Sequence, residues 1–239
     1  PSTGRLRIDK AGDATAYDVQ RDVVARRLGR GERQVGVKMG FTSIAKQQQM
    51  GLSDVIIGRL TDAMAIADGG ATPRARYIHP RAEPEIAFRL GASVHGTIDR
   101  DEAIAAIDGI AAAIEVIDSR FANFRFSLPT VIADNASSAG FVVGDWRPPA
   151  AEFPDLTDLS IDLAVDGTVV ETGSSAAILG DPLLSLIAAA RLAGEQGAEL
   201  PAGSIVLAGG ATAAVAVDGG ETVSVDVATL GGASFTLER

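Results

Sequence analysis

The sequence predicts an α+β fold in which helices and strands do not alternate regularly. Helical signatures stand early, in the middle and late, while alternating and continuous apolar segments fill the space between them. No regular strand–helix–strand repeat runs through the chain, which argues against a doubly wound sheet. No internal repeat or linker interrupts residues 1–239, so they read as a single domain.

Residues 13–29 read as a helix, with Tyr17, Val24 and Leu28 on one face and Arg21, Asp22, Arg26 and Arg27 solvated. Gly29 and Gly31 end it. Gln34 to Met39 reads as a short strand, Thr42 to Met50 as a helix, residues 68–76 as a Gly/Pro turn region, and Tyr77 to Leu90 as containing a strand. Asp99 and Glu102 fit a capping box opening a helix to about Ile107, and a buried strand follows from Ile110 to Ile117. Trp146 to Pro154 reads as a surface loop. Ser160 to Thr172 alternates around Asp166-Gly167, a hairpin turn pair. Asp181 and Pro182 start a helix through Leu192. Thr222 to Val227, then Ser234 to Leu237 after Gly231-Gly232, form a second hairpin.

Composition narrows the function. The net charge is −10, with acid spread along the chain, which argues against nucleic acid and anionic membranes as partners. There are no cysteines, so disulfides, thiolate metal sites and a cysteine nucleophile are excluded. Pro1 to Lys10 is too polar for a signal peptide, and apolar runs such as Ile110 to Ile114 are too short to cross a bilayer. A cytoplasmic protein is expected.

Three features carry chemistry. Glu83 and Glu85 lie two apart on a strand, so both carboxylates aim the same way, while Ile86 and Phe88 turn into apolar packing. Such a pair is either a solvated strand face or a site for a cation, because close like charges repel. Glu115 lies in a small, apolar strand, where it needs either a salt bridge, with Arg120 as candidate, or a metal. Lys38, flanked by glycines and apolar residues, either snorkels to the surface or sits in a pocket. The Gly-Gly pairs fit no nucleotide fingerprint and read as turns. His79 and His95 are the only histidines, which disfavours a zinc site, and Ser137 and Ser138 lack a nucleophile-elbow context. Pro1 is shared with amino-terminal-proline tautomerases, which the rest of the chain does not resemble.

Five motifs occur in one order: Lys38-Met-Gly-Phe-Thr-Ser43, Leu60-Thr-Asp-Ala-Met64, His79-Pro-Arg-Ala-Glu-Pro-Glu85, Glu115-Val-Ile-Asp-Ser-Arg120 and Val131-Ile-Ala-Asp-Asn-Ala-Ser137. From about Tyr17 to the C-terminus the chain resembles the hydratase/decarboxylase family related to fumarylacetoacetate hydrolases. The resemblance implies a curved mixed β-sheet or barrel-like core with flanking helices, and one divalent ion, Mg²⁺ or Mn²⁺, held by Glu83, Glu85 and Glu115. It implies Lys38 as the active-site lysine, Asp62 as an acid/base or orienting residue and Ser137 in the substrate pocket. It further implies a small 2-oxo acid substrate, a homo-oligomer and a possible complex with the pathway hydratase. Hard oxygen ligands suit Mg²⁺ independently of the resemblance.

Within the family, Asn123-Phe-Arg-Phe126 and Ala208 to Val217 resemble the decarboxylase branch, and Leu60-Thr-Asp-Ala-Met64 the hydratases. Pro84 departs from the usual small residue between the two glutamates and predicts a strand that is at an edge or bulged. The implied reaction is decarboxylation of 4-oxalocrotonate (2-oxohex-3-enedioate) to 2-hydroxypenta-2,4-dienoate, in the meta-cleavage pathway of aromatic catabolism. The alternative is hydration of that product. A non-catalytic partner subunit is disfavoured by retention of the glutamates and lysine, and C–C hydrolysis by the scarcity of histidine.

Overall fold

The computed structural model describes residues 13–43, 54–149 and 153–239. Among these the chain forms, in order, helix α1 (Asp13–Leu28), strands β1 (Gln34–Gly40), β2 (Ile56–Thr61), β3 (Gly70–Pro73) and β4 (Arg81–Leu90), helix α2 (Arg100–Ala106), strand β5 (Ile107–Ile117), helix α3 (Leu128–Ala133), strands β6 (Ser138–Val143), β7 (Ser160–Val165) and β8 (Thr168–Ser174), helix α4 (Pro182–Glu195), and strands β9 (Ile205–Leu207), β10 (Val215–Ala216), β11 (Thr222–Val227) and β12 (Gly231–Glu238). The expected helix over Thr42 to Met50 lies mostly outside the described residues, and Thr42 and Ser43 are not helical.

The strands divide between two sheets rather than one. The larger runs β2-β1-β9-β4-β5-β6, with β10 also on β4. It is mixed, because β1 and β9 are parallel and its other pairs antiparallel. The smaller runs β3-β12-β11-β7-β8. Alternation sorts the side chains of the larger sheet onto two faces. Ile86, Phe88, Ile110 and Ile114 share a core with Ile161, Leu163, Val223, Val225 and Phe235 of the smaller sheet. Leu60, Met64, Ala87, Ala113, Phe141 and Leu207 form a separate cluster on the other, concave face. The sheet curls far enough for Ile66, just past β2, to donate its N–H to the Phe141 carbonyl of β6 at 2.8 Å. Its two ends thus nearly meet.

The N-terminal helix buries Ala16, Gln20 and Val24, spaced i, i+4, i+8. The amide of Gln20 donates to the carbonyls of Ile57 and Ile132, which ties the helix to β2 and α3. Leu28, expected on the buried face, is 39% exposed, and Arg27 pairs with Glu32 at 2.7 Å instead of standing free in solvent. The Asp99–Glu102 capping box is present in both directions. Asp166 and Gly167 both have positive φ, 49° and 76°, as a two-residue hairpin turn requires. In the second hairpin Gly231 and Gly232 belong to β12, and residues 228–230 make the turn, because Val227 pairs with Gly231.

Two other expectations change. Residues 68–76 contain β3, which pairs in parallel with β12. Pro84 is neither at a sheet edge nor in a bulge: β4 is interior and stays in register with β5 there, Pro84 facing Ile114. Its nitrogen points into a gap on the other side, where β9 has ended and β10 has not begun. The chain between them passes close enough for Ala211 N–H to bond the Pro84 carbonyl at 3.0 Å. The stretch Ser175–Glu195 is, at mean hydropathy 1.6, long and apolar enough to cross a membrane. Here it is split at Asp181, the N-cap of α4, and it buries Leu183, Leu186, Ala189, Ala190 and Ala193 in the core between protein layers.

Candidate active site

The concave face of the larger sheet carries the chemistry. Glu83 of β4 stands directly across from Glu115 of β5, and Glu85 follows two residues on, facing Ala113. All three side chains are buried, and one oxygen of each lies within 4.8 Å of the others. Lys38 of β1 is 3% exposed; its Nζ lies 2.8 Å from Glu115 Oε2 and donates to the Ala136 carbonyl at 3.1 Å. Snorkelling and a Glu115–Arg120 pair are therefore both set aside. Arg120 pairs with Asp134.

Two strands separate β1 from β5 in the sheet, which would hold them about 14 Å apart if it were flat. The curl closes that distance. Glycine gives the lysine room: Gly58 faces Lys38 across β1 and β2, and a Cβ there would stand 3.0 Å from Lys38 Cδ and 2.8 Å from the Asn135 carbonyl. Gly209, expected to be only a turn residue, donates its N–H to Glu85 Oε2 at 2.8 Å. Its φ is +110°, and a Cβ would fall 2.1 Å from Thr42 Oγ1, so the position admits only glycine.

The cluster is electrostatically costly by itself. Burial pushes the Glu85 carboxyl well above the usual carboxylate range, and the charge of Glu115 adds to the effect. Burial also raises Glu115, with Lys38 opposing. For Lys38 burial works to lower the pKa, but Glu115, Glu83 and Glu85 together outweigh it and raise the value. Oε1 of Glu85 and Oε1 of Glu115 find no hydrogen-bond donor among the described residues. Orphaned, buried carboxylate oxygens converging on one point are a donor set for a hard divalent cation, and they fit Mg²⁺ or Mn²⁺.

Beside the cluster lies a cavity of about 350 Å³. Lys38, Arg81, Glu83, Thr42 and Ser137 supply polar lining, and Phe124, Phe126, Ala213 and Ala214 much of the apolar wall. Ser137 is 3% exposed, and its Oγ has no hydrogen-bond partner among the described residues. It ends three successive residues with positive φ, Asn135, Ala136 and Ser137 at 54°, 52° and 58°. That turn aims the Ala136 carbonyl at Lys38.

The structure does not bring Asp62 to this place. Its carboxylate accepts the Arg33 backbone N–H at 2.9 Å and the Arg33 side chain at 3.0 Å, bonds that hold its pKa below the usual value. It follows Thr61, which ends β2 facing Gln34, three residues beyond Gly58, the partner of Lys38. His79 is structural: its Nε2 lies 2.8 Å from the Ser119 carbonyl and its ring stacks on Phe124 at 4.8 Å. His95 is exposed in the loop after β4. Sequence reasoning missed Arg81, although the two-residue period that joined Glu83 to Glu85 reaches it one step earlier.

These features belong to a known class. The chain is a member of the fumarylacetoacetate hydrolase family, matching "Fumarylacetoacetate (FAA) hydrolase C-terminal" over residues 19–238. Among individual proteins it is similar to 4-oxalocrotonate decarboxylase from a Pseudomonas species, with 53% identity over 221 residues, 92% of this chain and 85% of that protein. It is also similar to a 2-keto-4-pentenoate hydratase from Burkholderia vietnamiensis, at 40% identity over 231 residues, 95% of this chain and 87% of the other. A solved structure of 4-oxalocrotonate decarboxylase from Pseudomonas putida G7, complexed with magnesium and adipate, superposes with a TM-score of 0.91 at 42% identity, covering 96% of this chain and 88% of that one.

Proposed function

We propose that this chain is a divalent-metal-dependent lyase that decarboxylates 4-oxalocrotonate to 2-hydroxypenta-2,4-dienoate and CO₂. The observation that carries the reading is the buried Glu83, Glu85 and Glu115 cluster beside a cavity whose lysine is held charged. The identity to named decarboxylases, 53% and 43% for two of them, supports the same reading.

Glu83, Glu85 and Glu115 would hold the cation, which supplies Lewis-acid polarisation of the 2-oxo group when bound. In the reaction the C5–C6 bond breaks and its electron pair forms C4=C5. The C3=C4 pair moves to C2=C3, and the carbonyl pair ends on the C2 oxygen, which takes up a proton. Lys38 stabilises the negative charge growing on that oxygen, and the cluster carboxylates keep its ammonium protonated for the task. Ser137 offers an unengaged hydroxyl to the substrate.

Decarboxylation is favoured over hydration by what lines the cavity. A hydratase must activate a water near the distal alkene carbons, yet Ala213 and Ala214 stand in the wall and Asp62 is held elsewhere by Arg33. The deciding experiment supplies each substrate separately, with and without Mg²⁺. CO₂ release from 4-oxalocrotonate that needs Mg²⁺ is expected. Fast hydration of 2-hydroxypentadienoate without CO₂ from 4-oxalocrotonate overturns the assignment. The family likeness also supports a homo-oligomer and association with the hydratase that consumes the product, to be read by size-exclusion chromatography and co-purification.

A further inference from the structure

The substrate proposed above carries a carboxylate at each end, and the metal cluster accounts for only one. Among the described residues, the three carboxylates and one ammonium with one divalent cation would sum to no net charge, which leaves little in that cluster to attract the far carboxylate. We infer that Arg81 recognises that distal carboxylate and makes the site selective for 2-oxo dicarboxylates over 2-oxo monocarboxylates. The inference rests on the reading of the site as one for a 2-oxo acid.

Arg81 opens β4 two residues before Glu83, so its side chain leaves the strand on the face that carries the glutamates. The offset along the strand is about 7 Å, comparable with the length of a six-carbon chain. The side chain is half-buried and lines the cavity. Its guanidinium lies 4.7 Å from the centroid of the Phe124 ring, which stacks in turn on His79. That support fixes the plane of the guanidinium without neutralising it. Among the described residues no carboxylate lies within ion-pair distance of Arg81, whereas Lys38, the other described cation of the cavity, is engaged by Glu115. A rigid, unpaired guanidinium presents two parallel donors that match a carboxylate.

The role is in binding and orientation. As CO₂ departs, negative charge leaves the distal end, so Arg81 holds the ground state at least as firmly as the transition state. Its loss therefore raises KM more than it lowers kcat.

The test is calorimetric titration of the Mg²⁺-loaded protein with 2-oxoadipate and 2-oxohexanoate, which differ only in a terminal carboxylate against a methyl. Wild type is expected to prefer 2-oxoadipate. Arg81→Gln should lose at least tenfold in affinity for 2-oxoadipate while 2-oxohexanoate changes less than twofold, and Arg81→Lys should recover part of the loss. Retained 2-oxohexanoate binding also reports that the variant is folded. Equal losses for both ligands, or none for 2-oxoadipate, overturn the inference. The two readings separate cleanly: a wild type that releases no CO₂ but shows the Arg81-dependent preference sinks the decarboxylase assignment and leaves Arg81 standing.

Discussion

Lys38 stays charged because its three carboxylate neighbours outweigh its burial, and the charge is what the developing enolate needs. Lys38→Met should lower CO₂ release more than tenfold, a barrier increase above about 1.4 kcal/mol. Calorimetric Mg²⁺ affinity should not weaken in that variant, since a competing cation has been removed; weakened binding would make Lys38 a structural part of the metal centre. Glu85→Gln keeps the shape and an acceptor for Gly209 N–H but removes a ligand charge. Loss of an outer partner of a metal ligand costs roughly 10–100-fold in affinity, so losing the ligand itself should exceed that, with CO₂ release abolished. Unchanged Mg²⁺ affinity by calorimetry would refute the ligand assignment. These residues were legible because strand periodicity and an apolar setting are local properties. Asp62 was read into the site from its motif position, which does not reveal that Arg33, 29 residues away, holds its carboxylate. Gly209 was missed because its close approach to Glu85 spans 124 residues.

At the level of elements, local chemistry was a good guide wherever it was complete. The Asp99–Glu102 box and the Asp166-Gly167 turn each state their structure within a few residues. The helix α3 was not read, because six residues are too few to show a period, although Ser127 and Pro129 mark its start. Strand β3 was taken for a turn because its partner β12 lies in the last residues of the chain. Asp99→Ala should cost about 1 kcal/mol through loss of the cap and lower the melting temperature. The same variant should keep its CO₂ release per folded molecule, since no residue of α2 lines the described cavity. A fall in turnover larger than the fall in folded fraction would show that α2 supports the site directly.

For the whole molecule, the α+β class followed from the order of helical and alternating segments, but the division into two sheets did not. Sheet membership is decided by pairings such as β1 with β9, made across most of the chain. Metal binding should stabilise the assembled fold: at a hundred times its dissociation constant Mg²⁺ should add about 2.7 kcal/mol, removable by a chelator and visible as a shift in denaturant midpoint. No shift with Mg²⁺ or Mn²⁺ would mean that the native state does not bind the ion selectively. The position of β9 gives this stabilisation a place in time. Ile205–Leu207 is wedged between β1 and β4, so Lys38 and the glutamates take up their final spacing only after residues 205–207 have folded into place. On a ribosome, the metal centre of the nascent polypeptide is complete only after those residues have emerged. We predict that in refolding the ion binds after the rate-limiting barrier, since its ligand set depends on a pairing distant in sequence. Mg²⁺ should accordingly slow unfolding while leaving the refolding rate nearly unchanged, and stopped-flow measurement of both limbs separates this order of events from one in which the ion nucleates the fold.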